Sequence, residues 1–212
     1  MQQVVFEKPY EFIPPHRGRW LPRLIQIFEL YRLYLKGKEG VIDYEIRHAE
    51  RLKASLAAGH GVMLTPNHCR YADPLAMGFI AKECNVLLYT MASWHLFNQG
   101  WFNSWAVRTM GGFSIYREGV DRKSIDTAVE VLATAERPLV IFPEGAVSRT
   151  NDRLQALLDG VAFIARTGAK KRARAVEGGK VVIHPIAFKY IFQGKFPEAI
   201  LPTLHELESR LT

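Results

Sequence analysis

A histidine and an aspartate stand five residues apart in the block NHCRYADP at residues 67–74. A histidine can act as a general base near neutral pH, and an aspartate within reach fixes its tautomer and stabilises the imidazolium. Residues five apart on a regular helix point about 140° apart, so His68 and Asp73 meet only if the chain turns between them. Asp73-Pro74, at the start of a predicted helix, permits that turn. The alternative is that Asp73 only caps this helix and His68 is a loop histidine.

A second block, GGFSIYRE at residues 111–118, combines two glycines, a short apolar strand and an arginine. Arg117 stands at the predicted exit of the strand, where its planar guanidinium could clamp a phosphate group. The alternative is a surface arginine that pairs with Glu118.

A third block, FPEGAVSR at residues 142–149, directly follows the apolar segment PLVIF. Glu144 is therefore expected at the carboxyl edge of a buried strand, where open α/β sheets bind ligands. Gly145 allows close approach of the backbone, and Arg149 adds a second positive charge.

A fourth block is the apolar segment IHPIA at residues 183–187, which Pro185 interrupts. A proline within a strand indicates an edge strand or a bulge.

Other common catalytic motifs are absent from the sequence. The sequence contains no G-x-S-x-G, no G-x-x-x-x-G-K-[ST] and no paired C-x-x-C. Cys69 beside His68 suggests a Cys–His nucleophile, but adjacent residues in a turn rarely present their side chains to one another. A metal site built from His60, His68, Cys69 and Asp73 lacks a second half with ligand spacing, so we expect no metal.

The elements that must position these blocks alternate between helix and strand. Helices are predicted over 20–36, 43–58, 73–82, 101–110, 121–136 and 152–167, with a short terminal helix opened by a capping box at 203–206; strands are predicted over 61–66, 85–91, 113–116, 138–142 and 181–188. This order predicts an α/β fold with a mixed, largely parallel central sheet covered by helices. We expect an N-terminal amphipathic helical segment over 1–40, facing a membrane or packed on the core, and a main domain over 41–212.

Composition sets broad limits. Of 212 residues, 48% are hydrophobic and 23% charged, which excludes a disordered chain. Two cysteines exclude a disulfide scaffold, and with no signal-peptide pattern in residues 1–10 they favour a reducing, cytosolic setting. No uncharged apolar run reaches the length of roughly 18 residues that a transmembrane helix needs.

The net charge of +7 favours an anionic partner. Residues 166–180 hold six basic residues against one acid. This run is either a solvated loop or a contact for an anionic surface. No aromatic residue interleaves with it, which disfavours nucleic acid as a partner.

In this order, the four blocks resemble the glycerolipid acyltransferase family, whose members acylate glycerol 3-phosphate or lysophosphatidic acid. The resemblance covers about residues 61–188. It implies that His68 is the catalytic base and Asp73 its orienting partner. It also implies that the donor, acyl-CoA or acyl-carrier protein, is a substrate and that no other cofactor is needed.

The resemblance further assigns substrate-binding residues. Arg117, Glu144 and Gly145 would belong to the phosphate site of the acceptor, and Pro185 to the block linked to the acyl pocket. We expect Asn67, Ser148 and Arg149 to contact the substrate as well.

One departure bears on the acceptor. The family continues its third block with Thr-Arg, where this chain has Ala146 and Val147. A phosphate-binding arginine is thus missing, and a larger head group or an aminolipid acceptor becomes more plausible.

Lysophosphatidic acid remains the first expected acceptor, in phospholipid biosynthesis. The alternatives are a CoA-independent lysolipid transacylase and a non-catalytic lipid-surface binding protein of the same fold.

A lysolipid acceptor implies peripheral binding to a membrane surface, which we expect to be anionic, at its cytoplasmic face. The candidate contacts are the helix over 20–36, a cluster of Trp94, Trp101 and Trp105, and the basic run. The alternative for the tryptophans is ordinary core packing.

Overall fold

The computed structural model describes residues 9–211. Residues 1–8, which form most of the region checked for a signal peptide, and Thr212 lie outside the described residues. The helices are α1 (Trp20–Ile27), α2 (Leu30–Lys38), α3 (Ala49–Ala57), α4 (Asp73–Glu83), α5 (Trp94–Phe97), α6 (Trp101–Thr109), α7 (Arg122–Thr134), α8 (Asp159–Ala175) and α9 (Phe196–Leu211). The strands are β1 (Gly61–Pro66), β2 (Tyr89–Ser93), β3 (Gly112–Ile115), β4 (Leu139–Val140) and β5 (Val181–Ile186).

Within residues 9–211 the strands form one sheet in the order β3-β2-β4-β1-β5. All four pairings are parallel. Parallel neighbours need crossover connections, and the helices supply them. The predicted α/β fold with a largely parallel central sheet is confirmed.

Helices cover both faces of the sheet. Met63 of β1 packs in one core cluster with Leu132 of α7 and Ile164 of α8. Its neighbour Leu64 packs in another cluster with Leu52 and Met77, from α3 and α4. Successive strand residues point to opposite faces, so both sides of β1 are buried and its ends are the places left for a site.

The single helix predicted over 20–36 is instead two helices. Glu29, between α1 and α2, has a left-handed φ of 48°. Its carboxylate binds Lys82 of α4, and this hydrogen bond is the largest cause of the lowered pKa of Glu29. A contact with a distant helix therefore accompanies the break, and the local 3.6-residue pattern did not reveal it.

The two N-terminal helices divide their apolar residues between core and surface. Tyr31 and Leu35 pack with Ala76 and Phe79 of α4. Seven other large side chains stay exposed, namely Trp20, Leu24, Ile27, Phe28, Leu30, Leu33 and Tyr34. Among residues 9–211, no helix is long and apolar enough to cross a membrane.

The basic run is not a loop. The helix predicted over 152–167 lies later, at Asp159–Ala175, so most of the run forms the end of α8. Arg172 is buried there, and its guanidinium donates to the carbonyl oxygens of Ala133, at 2.8 Å, and of Gly59. Part of the charge therefore ties α8 to the end of α7 and is not offered to a partner.

Other boundaries also differ from the predictions. The second helix begins at Ala49, the second strand runs over Tyr89–Ser93, and the fourth strand is reduced to Leu139–Val140. The last helix, Phe196–Leu211, contains Pro202 and begins well before the predicted capping box at 203–206, which is therefore inside a helix.

The three tryptophans do not form one cluster. Trp94 is buried against the rings of Tyr10 and Tyr116. Trp101 and Trp105 of α6 are exposed, at 82% and 47% of their surface, with Phe102 between them. Of the three tryptophans, only Trp94 is packed in the core, which was the alternative to membrane contact.

Candidate active site

Three chain segments meet at the carboxyl ends of β4, β1 and β5. These strands are adjacent, so the segments that follow them must be neighbours. Beyond the end of β1, Asn67 N–H donates to the carbonyl oxygen of Ile186, at the end of β5, at 3.1 Å. On the other side, Ile141 N–H donates to Leu64 O at 3.0 Å. The backbone ladder therefore brings the first, third and fourth sequence blocks together.

His68 and Asp73 are in direct contact. His68 Nδ1 lies 2.9 Å from Asp73 Oδ2, and the carboxylate side chain has no exposed surface, whereas 13% of the imidazole is exposed. Asp73 is the first residue of α4, and the turn over residues 68–72 brings it back towards His68. Within residues 9–211, His68 Nε2 has no hydrogen-bond partner. This nitrogen is therefore free to accept a proton from a substrate.

Two more donors bind the Asp73 carboxylate. Arg70 N–H donates to Oδ2 at 2.8 Å, and the Tyr190 hydroxyl donates to Oδ1 at 2.5 Å. Burial, followed by the bond to Asp73, raises the pKa of Tyr190, so its hydroxyl keeps its proton. Tyr190 belongs to none of the four sequence blocks. Its role follows only from the path of the chain after β5, and no spacing in the sequence could have revealed it.

Glu144 holds the backbone of the histidine loop. Its Oε1 accepts from His68 N–H at 2.8 Å and its Oε2 from Gln155 N–H at 3.0 Å, while the residue is only 8% exposed. Both oxygens are thus engaged by the protein. The predicted contact of Glu144 with a phosphate-bearing substrate stays a prediction.

Gly145 makes the turn that follows Glu144. Its φ is +69°, and an added Cβ would lie 2.7 Å from Leu158 Cδ1. A side chain at this position would be strained both in its backbone and in its packing.

Ser148 binds the same peptide of the histidine loop from its carbonyl side. Its N–H donates to His68 O at 2.7 Å, and its hydroxyl oxygen lies 3.0 Å from that carbonyl oxygen. The His68 ring rests on the Phe142 ring, with centroids 4.2 Å apart. The histidine is therefore held on three sides before any substrate is bound.

Asn67 extends the pairing of β1 with β5. Its Oδ1 accepts from Phe188 N–H at 2.6 Å, and its Nδ2 donates to Phe188 O at 3.1 Å. Nδ2 also lies 3.0 Å from Cys69 Sγ. The amide of Asn67 is thus used by the protein, and its predicted contact with substrate stays a prediction.

Cys69 is not prepared for nucleophilic attack. Burial raises the pKa of its thiol to about 11, so it is protonated at neutral pH. The expectation that no cysteine nucleophile is involved stays a prediction.

A cavity of about 420 Å³ lies beside the pair. Its walls carry both arginine side chains and apolar surface, contributed by Glu39, Cys69, Arg70, Tyr71, Val147, Arg149, Thr150, Asn151 and Tyr190. Arg149 is exposed and has a left-handed φ of 58°. Val147, where the family pattern has arginine, leaves this part of the wall uncharged.

The remaining two predicted site residues are Arg117 and Pro185. Arg117 follows β3, which is separated from β1 by three inter-strand steps of about 4.8 Å, or about 14 Å. Although Arg117 is exposed, nearby protein desolvates its guanidinium and lowers its pKa. Pro185 lies in β5 opposite Thr65, is exposed, and occupies the edge of the sheet as its ring requires.

No three His, Cys, Asp or Glu side chains come together as a metal site in the part of the chain that the structure describes.

Comparison with known proteins bears on this arrangement. A family model described as Acyltransferase matches residues 43–189, which contain all four blocks. The chain belongs to the acyltransferase family. The resemblance to glycerolipid acyltransferases is thereby confirmed at the level of the family, and the His68–Asp73 pair lies in the matched region.

The chain is also similar to one enzyme of known name. The chain is 32% identical over 104 residues to a 1-acyl-sn-glycerol-3-phosphate acyltransferase of Streptococcus pneumoniae. This match covers 49% of the chain and 36% of the relative, so it spans about a third of the length of that acyltransferase.

Proposed function

We propose that this protein transfers a fatty acyl chain from a thioester donor to a hydroxyl group of a lysophospholipid-type acceptor. One observation carries the proposal: Asp73 binds His68 Nδ1, and His68 Nε2 is left without a partner in residues 9–211. A histidine in this arrangement is set up as a general base. Family membership and the match to a 1-acyl-sn-glycerol-3-phosphate acyltransferase support the reaction class.

The proposed reaction is direct transfer. His68 Nε2 takes the proton of the acceptor hydroxyl as its oxygen attacks the thioester carbonyl carbon. The C–S bond then breaks, and the imidazolium returns the proton to the departing thiolate. Asp73 stabilises the imidazolium between these steps, and the acyl donor is a substrate, so the mechanism calls for no resident cofactor and no metal.

The fixed backbone of the histidine loop supports this assignment. Glu144 and Ser148 bind the N–H and the carbonyl oxygen of the same residue. A base held in this way loses little entropy on reaching the reactive geometry, which lowers the barrier to transfer.

Lysophosphatidic acid is the first proposed acceptor. Arg149 in the cavity wall, with Arg117 further along the same edge, would bind its phosphate. Because this chain has Val147 where the family has an arginine, acceptors with larger or amine-bearing head groups should be tested alongside lysophosphatidic acid.

A membrane-bound acceptor requires the enzyme to reach the bilayer. We propose peripheral binding at the cytoplasmic face of an anionic membrane. Exposed aromatic and apolar side chains on α1, α2 and α6 support it, and so do the basic residues at the end of α8 that remain exposed.

The test is a thioester-release assay with acyl-CoA or acyl-carrier protein, with and without a panel of lysolipids, read by mass spectrometry. Release that requires an acceptor, together with a new diacyl product, supports the proposal. Lipid-to-lipid transfer without thioester release points to a transacylase. Neither reaction, with lipid binding retained, points to a non-catalytic binding protein.

Membrane binding is tested separately by flotation with vesicles that contain or lack anionic lipid. Retention that depends on the anionic lipid supports a contribution from α8. Replacing Trp101 by alanine should weaken retention, whereas the same change at the buried Trp94 is unsuitable because it would disturb the core.

A further inference from the structure

Tyr190 contacts the buried carboxylate from the side opposite the histidine. Its hydroxyl donates to Asp73 Oδ1, whereas His68 Nδ1 lies against Oδ2. The Asp73 side chain has no exposed surface, so no bulk water reaches either oxygen. A buried carboxylate is stabilised by the donors that the protein supplies, and charge-assisted bonds are the strongest of these.

The position of Tyr190 is fixed by two other segments. The Asn151 side chain binds its backbone twice, with Nδ2 donating to Tyr190 O at 2.7 Å and Oδ1 accepting from Tyr190 N–H at 3.0 Å. The guanidinium carbon of Arg70 lies 4.8 Å from the centroid of the Tyr190 ring. The hydroxyl is therefore held against Asp73 by the segment after Ser148 and by the histidine loop itself.

We propose that Tyr190 is a positioning residue for catalysis, which acts on His68 through Asp73. Its hydroxyl fixes the rotation of the carboxylate so that Oδ2 faces Nδ1, and it takes up part of the negative charge. This proposal rests on the proposed acyl transfer by His68.

Burial raises the pKa of the Tyr190 hydroxyl above its usual value, and the hydrogen bond to Asp73 raises it further. The phenol thus remains a donor across the pH range in which an acyltransferase would be assayed. A role as a proton acceptor is correspondingly disfavoured.

The variant Tyr190→Phe removes only the hydroxyl. We expect kcat to fall about tenfold, which corresponds to about 1.4 kcal/mol of barrier, with KM within about twofold of wild type. A rise in KM at unchanged kcat would instead mean that the hydroxyl serves the substrate, and would overturn the proposal.

The matched control is Tyr31→Phe. Tyr31 is a buried tyrosine whose hydroxyl also donates to the protein, to Gly78 O at 3.0 Å, but it packs on α4 and, within residues 9–211, makes no hydrogen bond to His68 or Asp73. We expect Tyr31→Phe to lower the melting temperature and leave kcat unchanged. If both variants lost the same activity, Tyr190 would have only a structural role.

A double variant separates positioning from stability. If Tyr190 acts through the carboxylate, Tyr190→Phe should change kcat by less than about twofold once Asp73 has been replaced by asparagine. A further tenfold loss in the Asp73→Asn background would overturn the proposal.

A spectroscopic readout does not depend on turnover. Proton NMR should show the His68 Nδ1–H resonance, assigned by its loss in His68→Ala. In Tyr190→Phe the carboxylate charge is shared with fewer donors, so this resonance should move downfield, whereas in Tyr31→Phe it should not move. A resonance unchanged in Tyr190→Phe would contradict the proposal.

The two readouts keep the two proposals distinct. If the resonance moves but wild-type protein transfers no acyl chain to any acceptor, the proposed function fails and the coupling of Tyr190 to the pair stands. If transfer occurs but the resonance stays and the kcat losses add, the proposed function stands and the role of Tyr190 falls.

Discussion

The loops that follow β1 and β3 lie at the same edge of one sheet, but they are built in different ways. Around His68, the protein binds the backbone N–H, the backbone carbonyl oxygen and ring Nδ1. At the end of β3, the Arg117 guanidinium has no hydrogen bond or ion pair to any other residue of the range 9–211. A group that moves a proton must be held before the substrate arrives, whereas a cation that binds the substrate keeps its donors free.

The largest effect is expected at the centre of the fixed loop. His68→Ala should lower acyl transfer at least about a thousandfold, because it removes the only proposed base. Its fold should survive, since Glu144 and Ser148 bind backbone atoms that alanine retains. Activity and the circular dichroism spectrum check this, with His184→Gln on the edge strand as the control. Transfer within about tenfold of wild type would exclude His68 as the base.

The next effect tests how the loop is held. In Glu144→Gln one of the two backbone N–H groups faces an amide donor, so an unsatisfied buried group costs about 1–3 kcal/mol. We expect a lower melting temperature and a kcat reduced about tenfold or more. The control is Glu118→Gln, on an exposed side chain. A change in KM alone, with stability intact, would mean that Glu144 serves the substrate and not the loop.

A smaller effect is expected at the open end of β3. Arg117→Gln should raise KM for a phosphate-bearing acceptor about tenfold, the loss of about 1.4 kcal/mol of binding, and leave kcat and stability unchanged. Steady-state kinetics check this. Arg122→Gln, an exposed arginine five positions further on, is the control. If Arg117→Gln lowers kcat or the melting temperature instead, the contrast between the two loops is wrong.

The smallest effect is expected at Cys69. Because burial raises its pKa to about 11, only about one thiol in ten thousand is ionised at pH 7 and the fraction grows as the pH rises. Cys69→Ala should therefore keep kcat within about twofold at neutral pH, with the same dependence on pH between 6 and 9. If Cys69→Ala transferred no acyl chain, or if kcat rose with pH in the wild type but not in this variant, Cys69 would have to be considered as the nucleophile.

Much of the α/β fold could be predicted from local patterns. The strand over 61–66 and the helix that begins at Asp73 are where the sequence places them, because a turn, a proline and an apolar run coincide there. The break at Glu29 and the late start of α8 could not be predicted. The first coincides with a long-range contact between Glu29 and Lys82, and the second leaves residues 151–158 without a helix, in a segment that passes the site and gives Gln155 N–H to Glu144.

The candidate site shows the same division. The spacing of His68 and Asp73 allowed their contact, and the glycine and glutamate of the third block indicated the edge of the sheet. The engagement of Glu144, Ser148 and Asn67 by backbone groups could not be predicted, because each bond joins segments about 80 to 120 positions apart in the chain.

The sequence by itself determined the family, the alternation of helices and strands that makes an α/β fold, and the pair of side chains that can share a proton. These depend on residue types at short spacings, which are properties of the chain. The tertiary structure alone decided that β1 lies between β4 and β5, that Tyr190 reaches Asp73, and that Arg117 stands apart. These depend on which strands become neighbours, and a local pattern does not carry that information.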